Sequence, residues 1–433
     1  MKLAVLAAIC AAAIVLLVPS VSSASPYARF GVQDDAYLSA GPALEAHLDT
    51  VQRMGAQVVR YTVNWRQVAP KKPARPSNPG DPAYDWSSVD PVLNGLHERH
   101  LTPIVTLYGT PGWANGGASA NVMPRSKWSL SAFALAVANR YPWVRMWEVW
   151  NEPNLTRFLI PNSPRLYVGR LLNPTYAVLK KHALANRIAG GATSPRPTPS
   201  GLSPVVFMRG MHAAHAHLDA YSHHPYPVTR GERPDGFARN VCKYCKGVLT
   251  LANLPELLKE VRRDFGTKRI WLTEYGYQTN PPDRFGVARW LQAKYVADSW
   301  LRAKRARYVD VLIHFMIKDE PQLSGWQSGF FTAAGTVKSA FYSFQLPIVV
   351  SSRHGLRTTI SGQVRPGQAR RTYRLQRLAR GRWVSIGHLA RTNVFGSYTR
   401  VIRVAKGTRL RILYYPRPVT TTSTVSSRPI VVH

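Results

Sequence analysis

The chain has 433 residues, 45% of them apolar, with 57 Lys and Arg against 22 Asp and Glu and a net charge of +35. That apolar share excludes a disordered chain or a collagen-like rod, because it can bury at least one large core. At about 100–200 residues per domain, with an α/β barrel using about 250 as one unit, two unequal domains are expected.

Lys2 precedes an apolar run over 3–18, and Ser22, Ser23 and Ala24 supply the small residues at which a leader is cut. Residues 1–24 therefore read as a signal peptide, with an uncleaved anchor as the alternative, and the mature chain begins near Ser25. A secreted protein is expected, held to a cell wall through its charge. In an oxidising compartment Cys242 and Cys245, in NVCKYCKG, read as a small-loop disulfide. A zinc site with His223 and His224 is the alternative. Cys10 leaves with the leader.

From about residue 30 to 348, short apolar or β-branched runs alternate with amphipathic stretches. Strand-like segments lie at 30–35, 58–65, 102–109, 144–153, 187–194, 219–226, 269–277 and 309–318. Helical spacing predicts helices over 43–55, 89–100, 131–141, 254–266 and 287–306. Gly55 and Gly266 act as stops, and Asp85 and Ser129 as starting caps. Eight strand–helix units over 25–349 point to a (β/α)8 barrel. A doubly wound open sheet is the alternative, but no Gly-rich phosphate fingerprint follows the first strand.

After Pro347 only strand patterns remain, broken by Gly and Pro, so residues 350–433 read as a small Ig-like β-sandwich. From Ser351 onward there are sixteen Arg and one Lys, with no Asp or Glu. That balance favours an anionic partner such as a charged cell-wall polymer. Specific nucleic-acid binding is not expected, since aromatic-basic RNA motifs and zinc-finger spacing are both missing from the sequence.

In a barrel the chemistry sits at the C-terminal strand ends. The fourth segment ends in WEVWNEPN with Glu152, and the seventh in WLTEYGYQT with Glu274. A carboxylate in so apolar a setting is costly unless it is hydrogen-bonded or used. Two of them, three strand–helix units apart, can face each other across the mouth. Such a pair suits glycosidic cleavage, which needs a proton on the leaving oxygen and a carboxylate at the anomeric carbon.

With these two motifs, residues 30–348 resemble glycoside hydrolase clan A, in particular families 5 and 39. The resemblance implies a retaining double displacement with Glu152 as acid/base and Glu274 as nucleophile, their carboxyl groups about 5–5.5 Å apart. It further implies that Arg60 and the His224-Pro225-Tyr226 run steady the nucleophile, and that Asn151 bonds a sugar 2-hydroxyl. Many clan members carry a Trp on the eighth strand, where this chain offers His314 and Phe315. Metal and organic cofactors are not needed for this mechanism, and a monomer is expected. Glu148 lies on the same strand as Glu152 and reads as a barrel-interior residue.

Sugars pack their C–H faces on aromatic rings. Trp65, Tyr108, Trp113, Trp150, Tyr277 and Trp326 fall just beyond strand ends and are candidate platforms, about half of them expected to touch ligand. Asp319 and Glu320 either contact sugar hydroxyls or cap the loop before Trp326. The substrate expected is a β-linked poly- or oligosaccharide, and the basic balance favours an acidic or wall-associated glycan. Two readings from other classes stay open: a catalytically dead barrel that binds polysaccharide, and a scaffold for a functional arginine-rich tail.

Overall fold

The computed structural model describes residues 28–236, 247–416 and 424–433. The leader at 1–24 and the cysteine pair Cys242 and Cys245 lie outside the described residues.

Each expected strand segment of the first domain coincides with one strand of a closed parallel barrel to within a few residues. These are β1 (Arg29–Gln33), β2 (Val58–Asn64), β3 (Thr102–Tyr108), β4 (Met146–Val149), β5 (Arg187–Thr193), β6 (Ala220–His223), β7 (Arg269–Tyr275) and β8 (Val309–Phe315). Each pairs with its chain neighbours, and β1 closes on β8 with Gly31 opposite Ile313.

A main helix follows each strand: α1 (Leu44–Arg53), α2 (Asp90–Glu98), α3 (Trp128–Arg140), α4 (Asn173–His182), α5 (Pro204–Ala213), α6 (Leu254–Phe265), α7 (Arg289–Arg305) and α8 (Ser339–Gln345). Gly55 and Gly266 end α1 and α6 with φ of 75° and 68°, the left-handed region that glycine enters without strain. The starting caps differ from expectation. Asp85 accepts from Ser87 N ahead of α2, and α3 begins at Trp128, whose N–H reaches Ser126 Oγ at 3.2 Å. Asp85 thus lies in a turn five residues ahead of α2, and Ser129 is the second residue inside α3 rather than its cap.

Strand alternation stacks the barrel interior in layers. Val58, Ile104, Met146, Ala189, Ala220, Trp271, Val311 and Ile313 form an apolar cluster of their own, apart from the helix-facing core. Two residues further along their strands come Arg60, Thr106, Glu148, Ser222 and Thr273, all buried. The same period-2 spacing that fills the floor thus places a polar tier directly above it.

Only Leu346 and Pro347 separate α8 from the first strand of the second domain. Here β9 (Ile348–His354), β10 (Arg357–Gln363) and β13 (Ser397–Arg403) form one antiparallel sheet. A second contains β11 (Thr372–Ala379), β12 (Arg382–Ser385) and β14 (Arg409–Tyr415), with short strands Ala390–Arg391, Val425–Ser426 and Ile430–Val431 added at its margins. Ile360, Tyr373, Leu375, Tyr398, Leu410 and Ile412 fill the space between, Tyr373 stacking on Tyr398 at 4.5 Å. The domain grips the barrel through Arg365, whose guanidinium lies 4.5 Å from the Phe30 ring and 4.1 Å from Phe344. Trp300 Nε1 donates to Gln363 Oε1 at 3.0 Å across the same seam.

Candidate active site

The polar tier is organised by one arginine. Arg60, 1% exposed, donates from Nε to Glu148 Oε2 at 2.5 Å, from Nη1 to Glu274 Oε1 and Gln33 Oε1 at 2.5 Å each, and from Nη2 to Asn151 Oδ1 at 2.8 Å. Burial alone would push this guanidinium down, but Glu148 and Glu274 outweigh it and hold its pKa above the ordinary value. Glu148 is likewise penalised by burial yet held below its usual range by Arg60, His224 and its hydroxyl partners. Thr106 donates to it at 2.9 Å, and Ser222 donates to its other oxygen. Both its oxygens are engaged beneath the mouth, as expected of an interior residue.

One step higher stand Glu152 and Glu274, their side chains 13% and 12% exposed. Strand β4 ends at Val149, and the chain then turns through Trp150 and Glu152, with φ of 73° and 38°. Strand β7 reaches the mouth through a register shift against β8, which departs from simple alternation at Glu274. Glu274 Oε1 takes the Arg60 donor and Oε2 the Tyr226 hydroxyl at 2.9 Å.

Fully buried His224 brings its Nδ1 to 3.0 Å from Glu152 Oε1 and 3.6 Å from Glu274 Oε2. Those two oxygens are therefore at most about 6.6 Å apart, an upper bound at the lower end of the about 6.5–9.5 Å spacing of inverting pairs. Burial pushes the imidazole down, but Glu274 and Glu152 pull it further up, so its pKa is raised overall. Its nearer carboxylate is Glu152, whereas the resemblance implied support of Glu274. Its Nε2 has no partner among the described residues. Neighbouring His223 bonds Leu249 O and Thr193 and falls to about 3 through burial, so it stays neutral.

The aromatic candidates divide. Trp326 is 37% exposed and leans over Tyr226 at 4.9 Å, with Phe315 edge-on at 5.6 Å, giving a wall beside Glu274. Tyr108 and Trp113 are half-buried and keep some open surface. Trp65 and Trp150 are corrections. Trp65 is fully buried against Phe133 at 5.7 Å because the chain turns into a helical turn capped by Asn64 and drops the ring onto α3. Trp150, also fully buried, lies past the strand end, so alternation no longer aims it with Glu148; its Nε1 bonds Phe158 O at 2.8 Å. Tyr277 is buried against Tyr295 and is a third correction.

On the eighth strand, Phe315 reaches the mouth while His314 is buried, stacked 4.2 Å from Phe330 and bonded to Ser328 O. Asp319 and Glu320 are loop caps. Asp319 pairs with buried Lys338 at 2.7 Å and accepts from Gly329 N; Glu320 accepts from Trp326 N at 2.6 Å. Sequence reading missed Gln33, Thr106, Ser222, Thr273 and Lys338. Thr106, Ser222 and Thr273 were signalled by their two-residue offset from the apolar floor. Among the described residues, no group of three or more His, Cys, Asp or Glu is placed to hold a metal ion.

No family model and no curated protein matches the chain. Among solved structures it is similar to a family 39 glycoside hydrolase from Bacteroides cellulosilyticus, with a TM-score of 0.56 and 15% identity over 88% of this chain and 82% of that one. It is also similar to a glucosidase from Croceicoccus marinus, with a TM-score of 0.58 and 13% identity over 90% of this chain and 97% of the other. A β-glucuronidase from Bacteroides uniformis gives 0.51 and 13% over 94% of this chain, which spans 46% of that protein. At these identities the likeness shows the architecture, a closed eight-stranded parallel barrel carrying a C-terminal β-domain, and the functional argument rests on the mouth.

Proposed function

We propose that the protein is an exported retaining glycoside hydrolase acting on β-linked sugars, with Glu274 as nucleophile and Glu152 as acid/base. The observation that carries this reading is the single His224 nitrogen lying close to both carboxylates, which supports a separation suited to direct attack. Solved enzymes of similar fold are named glycoside hydrolase, glucosidase and β-glucuronidase, which supports the reaction class.

In the first step a Glu274 oxygen bonds the anomeric carbon as the glycosidic C–O bond breaks, and Glu152 gives its proton to the departing oxygen. Water then attacks the glycosyl ester, losing its proton to Glu152 and freeing Glu274. Arg60 and Tyr226 each donate to one Glu274 oxygen and so fix the direction in which the carboxylate is aimed. His224 Nδ1 lies 3.0 Å from Glu152 Oε1 and so orients that carboxyl towards the departing oxygen. Asn151, its oxygen taken by Arg60, keeps its amide N–H groups for a sugar hydroxyl. Trp326 offers a face for a sugar ring. The basic β-domain is proposed to hold the enzyme near anionic wall polymer.

The test is release of reducing ends from a panel of plant and bacterial wall polysaccharides by the chain from Ser25, beside Glu274→Ala and Glu152→Ala. Silence of Glu274→Ala, relieved by external azide, supports the reading. Equal behaviour of all three on every glycan, with binding retained, would make the barrel a lectin-like scaffold and sink it.

A further inference from the structure

Helices α6 and α7 flank β7 on the outer wall of the barrel, and between them lies a cleft of about 1430 Å³ that continues to the terminal strand Ile430–Val431. Its floor is apolar, built from Leu258, Val261, Ile270, Leu291 and Leu301. Trp290, 59% exposed, stands at the end where α7 starts. Both rims are cationic. On α6, Lys259, Arg262 and Arg263 are spaced by three and four residues and so share a face. Opposite are Arg302 and Arg305 of α7, Arg307 beyond it, and Arg428 ahead of the terminal strand.

The fold neutralises part of this charge: among the lining residues Arg233 meets Asp235 at 3.1 Å, Lys259 meets Glu256 at 3.9 Å and Lys294 meets Asp298 at 2.5 Å. Arg263 is taken by Glu260 at 2.6 Å and Asp264 at 2.8 Å. Arg262, Lys268, Arg305, Arg307 and Arg428 meet no carboxylate within 4.0 Å among the described residues. Arg428 is pushed down by burial with nothing offsetting it, and Arg302, also pushed down by burial, bonds only the carbonyls of Leu251 and Ala252. Like charges gathered along a low-dielectric trough repel one another and focus a positive field, so an anionic occupant is strongly favoured.

The shape of that occupant follows from the lining. Charge runs along both rims, which a lipid with one anionic head cannot match. An apolar floor ending in an exposed indole suits the C–H faces of sugar rings, which a polyphosphate lacks. The 17 residues of α7 extend about 25 Å, room for several rings in file. We propose that this cleft binds a run of uronate-bearing polysaccharide at a site separate from the barrel mouth. The choice of a glycan rests on the hydrolase reading above; the demand for a polyanion does not.

The test measures binding of labelled oligogalacturonate, and of its methyl ester, to the chain from Ser25 carrying Glu274→Gln, by fluorescence anisotropy. Arg262→Glu with Arg307→Glu should weaken binding by about tenfold or more. Arg377→Glu with Arg403→Glu, an equal charge change at exposed sites on the β-domain, should weaken it by no more than about twofold. The uncharged ester should bind poorly to all. Equal losses in the two double variants, no loss in either, or ester bound as well as acid would each overturn the proposal. With Glu274 intact, the cleft variant should cleave a small aryl glycoside as fast as the parent. Cleft-dependent binding by a chain that hydrolyses nothing would leave the cleft standing and remove the hydrolase reading.

Discussion

Replacing Arg60 by Met tests the central arrangement, because one side chain holds two carboxylates, Gln33 and Asn151. Methionine fills much of the volume and keeps the apolar stem, so the loss is mainly electrostatic. Removing one partner of a buried ion pair costs about 3–5 kcal/mol, since the remaining charge is left without compensation. Glu148 is the group left exposed to that penalty, being 0% accessible, although Thr106 and Ser222 still donate to it.

The pH dependence gives the sharper reading. In the native protein the pKa of Glu148 is lowered, so its stabilisation is present above the ordinary value of 4.5 and is lost as pH falls through the lowered folded value. Without Arg60 the same carboxyl is raised by burial, and protonation then relieves the strain as pH falls. The destabilisation by Arg60→Met, measured by urea unfolding followed through tryptophan fluorescence, should therefore be largest near pH 7 and shrink towards pH 5. Adding Glu148→Gln should return part of the loss at pH 7. A cost below about 1 kcal/mol, or one that is flat with pH, would refute the claim that Arg60 compensates a buried charge.

Tyr226→Phe removes one donor from Glu274 and should lower kcat/KM by about 10- to 150-fold, the equivalent of about 1.5–3 kcal/mol for a bond to a charged group, chiefly in kcat. Trp326→Ala should raise KM for oligosaccharides while sparing kcat on a small aryl glycoside. His224, with its pKa raised, contributes stability that is full below its ordinary 6.5 and is lost as pH rises through the raised folded value. His224→Gln should flatten that alkaline fall in the urea midpoint, and an unchanged slope would count against the charge assignment. At Gly55, φ is 75° and an added Cβ would stand 2.7 Å from Arg365 Cβ, so Gly55→Ala should cost at least about 1–2 kcal/mol in the same assay.

The barrel was legible because its strands are buried on both faces and read as unbroken apolar runs bounded by amphipathic helices. Glu152 and Glu274 stood out for the opposite reason, as acids at the ends of such runs. What one dimension did not carry was direction past a strand end. Trp65 and Trp150 sit one residue beyond β2 and β4, where backbone turns rather than alternation decide where a ring goes, and both rings fell into the core. Lys338 was invisible for a related reason, since its partner Asp319 meets it only through the fold of the loop after β8. In the β-domain, Gly and Pro marked the turns, but nothing in the pattern ordered β13 beside β10 rather than beside β12.

The seam around Arg365 bears on how such an enzyme would explore an insoluble surface. A binding module on a long linker lets its catalytic partner swing through a wide arc, so that one attachment serves many cuts. Here two residues join the domains, a guanidinium is wedged between Phe30 and Phe344, and Arg365 N donates to Gln345 O at 3.3 Å. Whatever the β-domain holds, the mouth is carried at a fixed offset from it, as with the jaws of a calliper. Under the proposed function, with the β-domain gripping a solid polymer, each new cut would then require release and re-docking of the whole molecule, tying turnover to the off-rate of the grip.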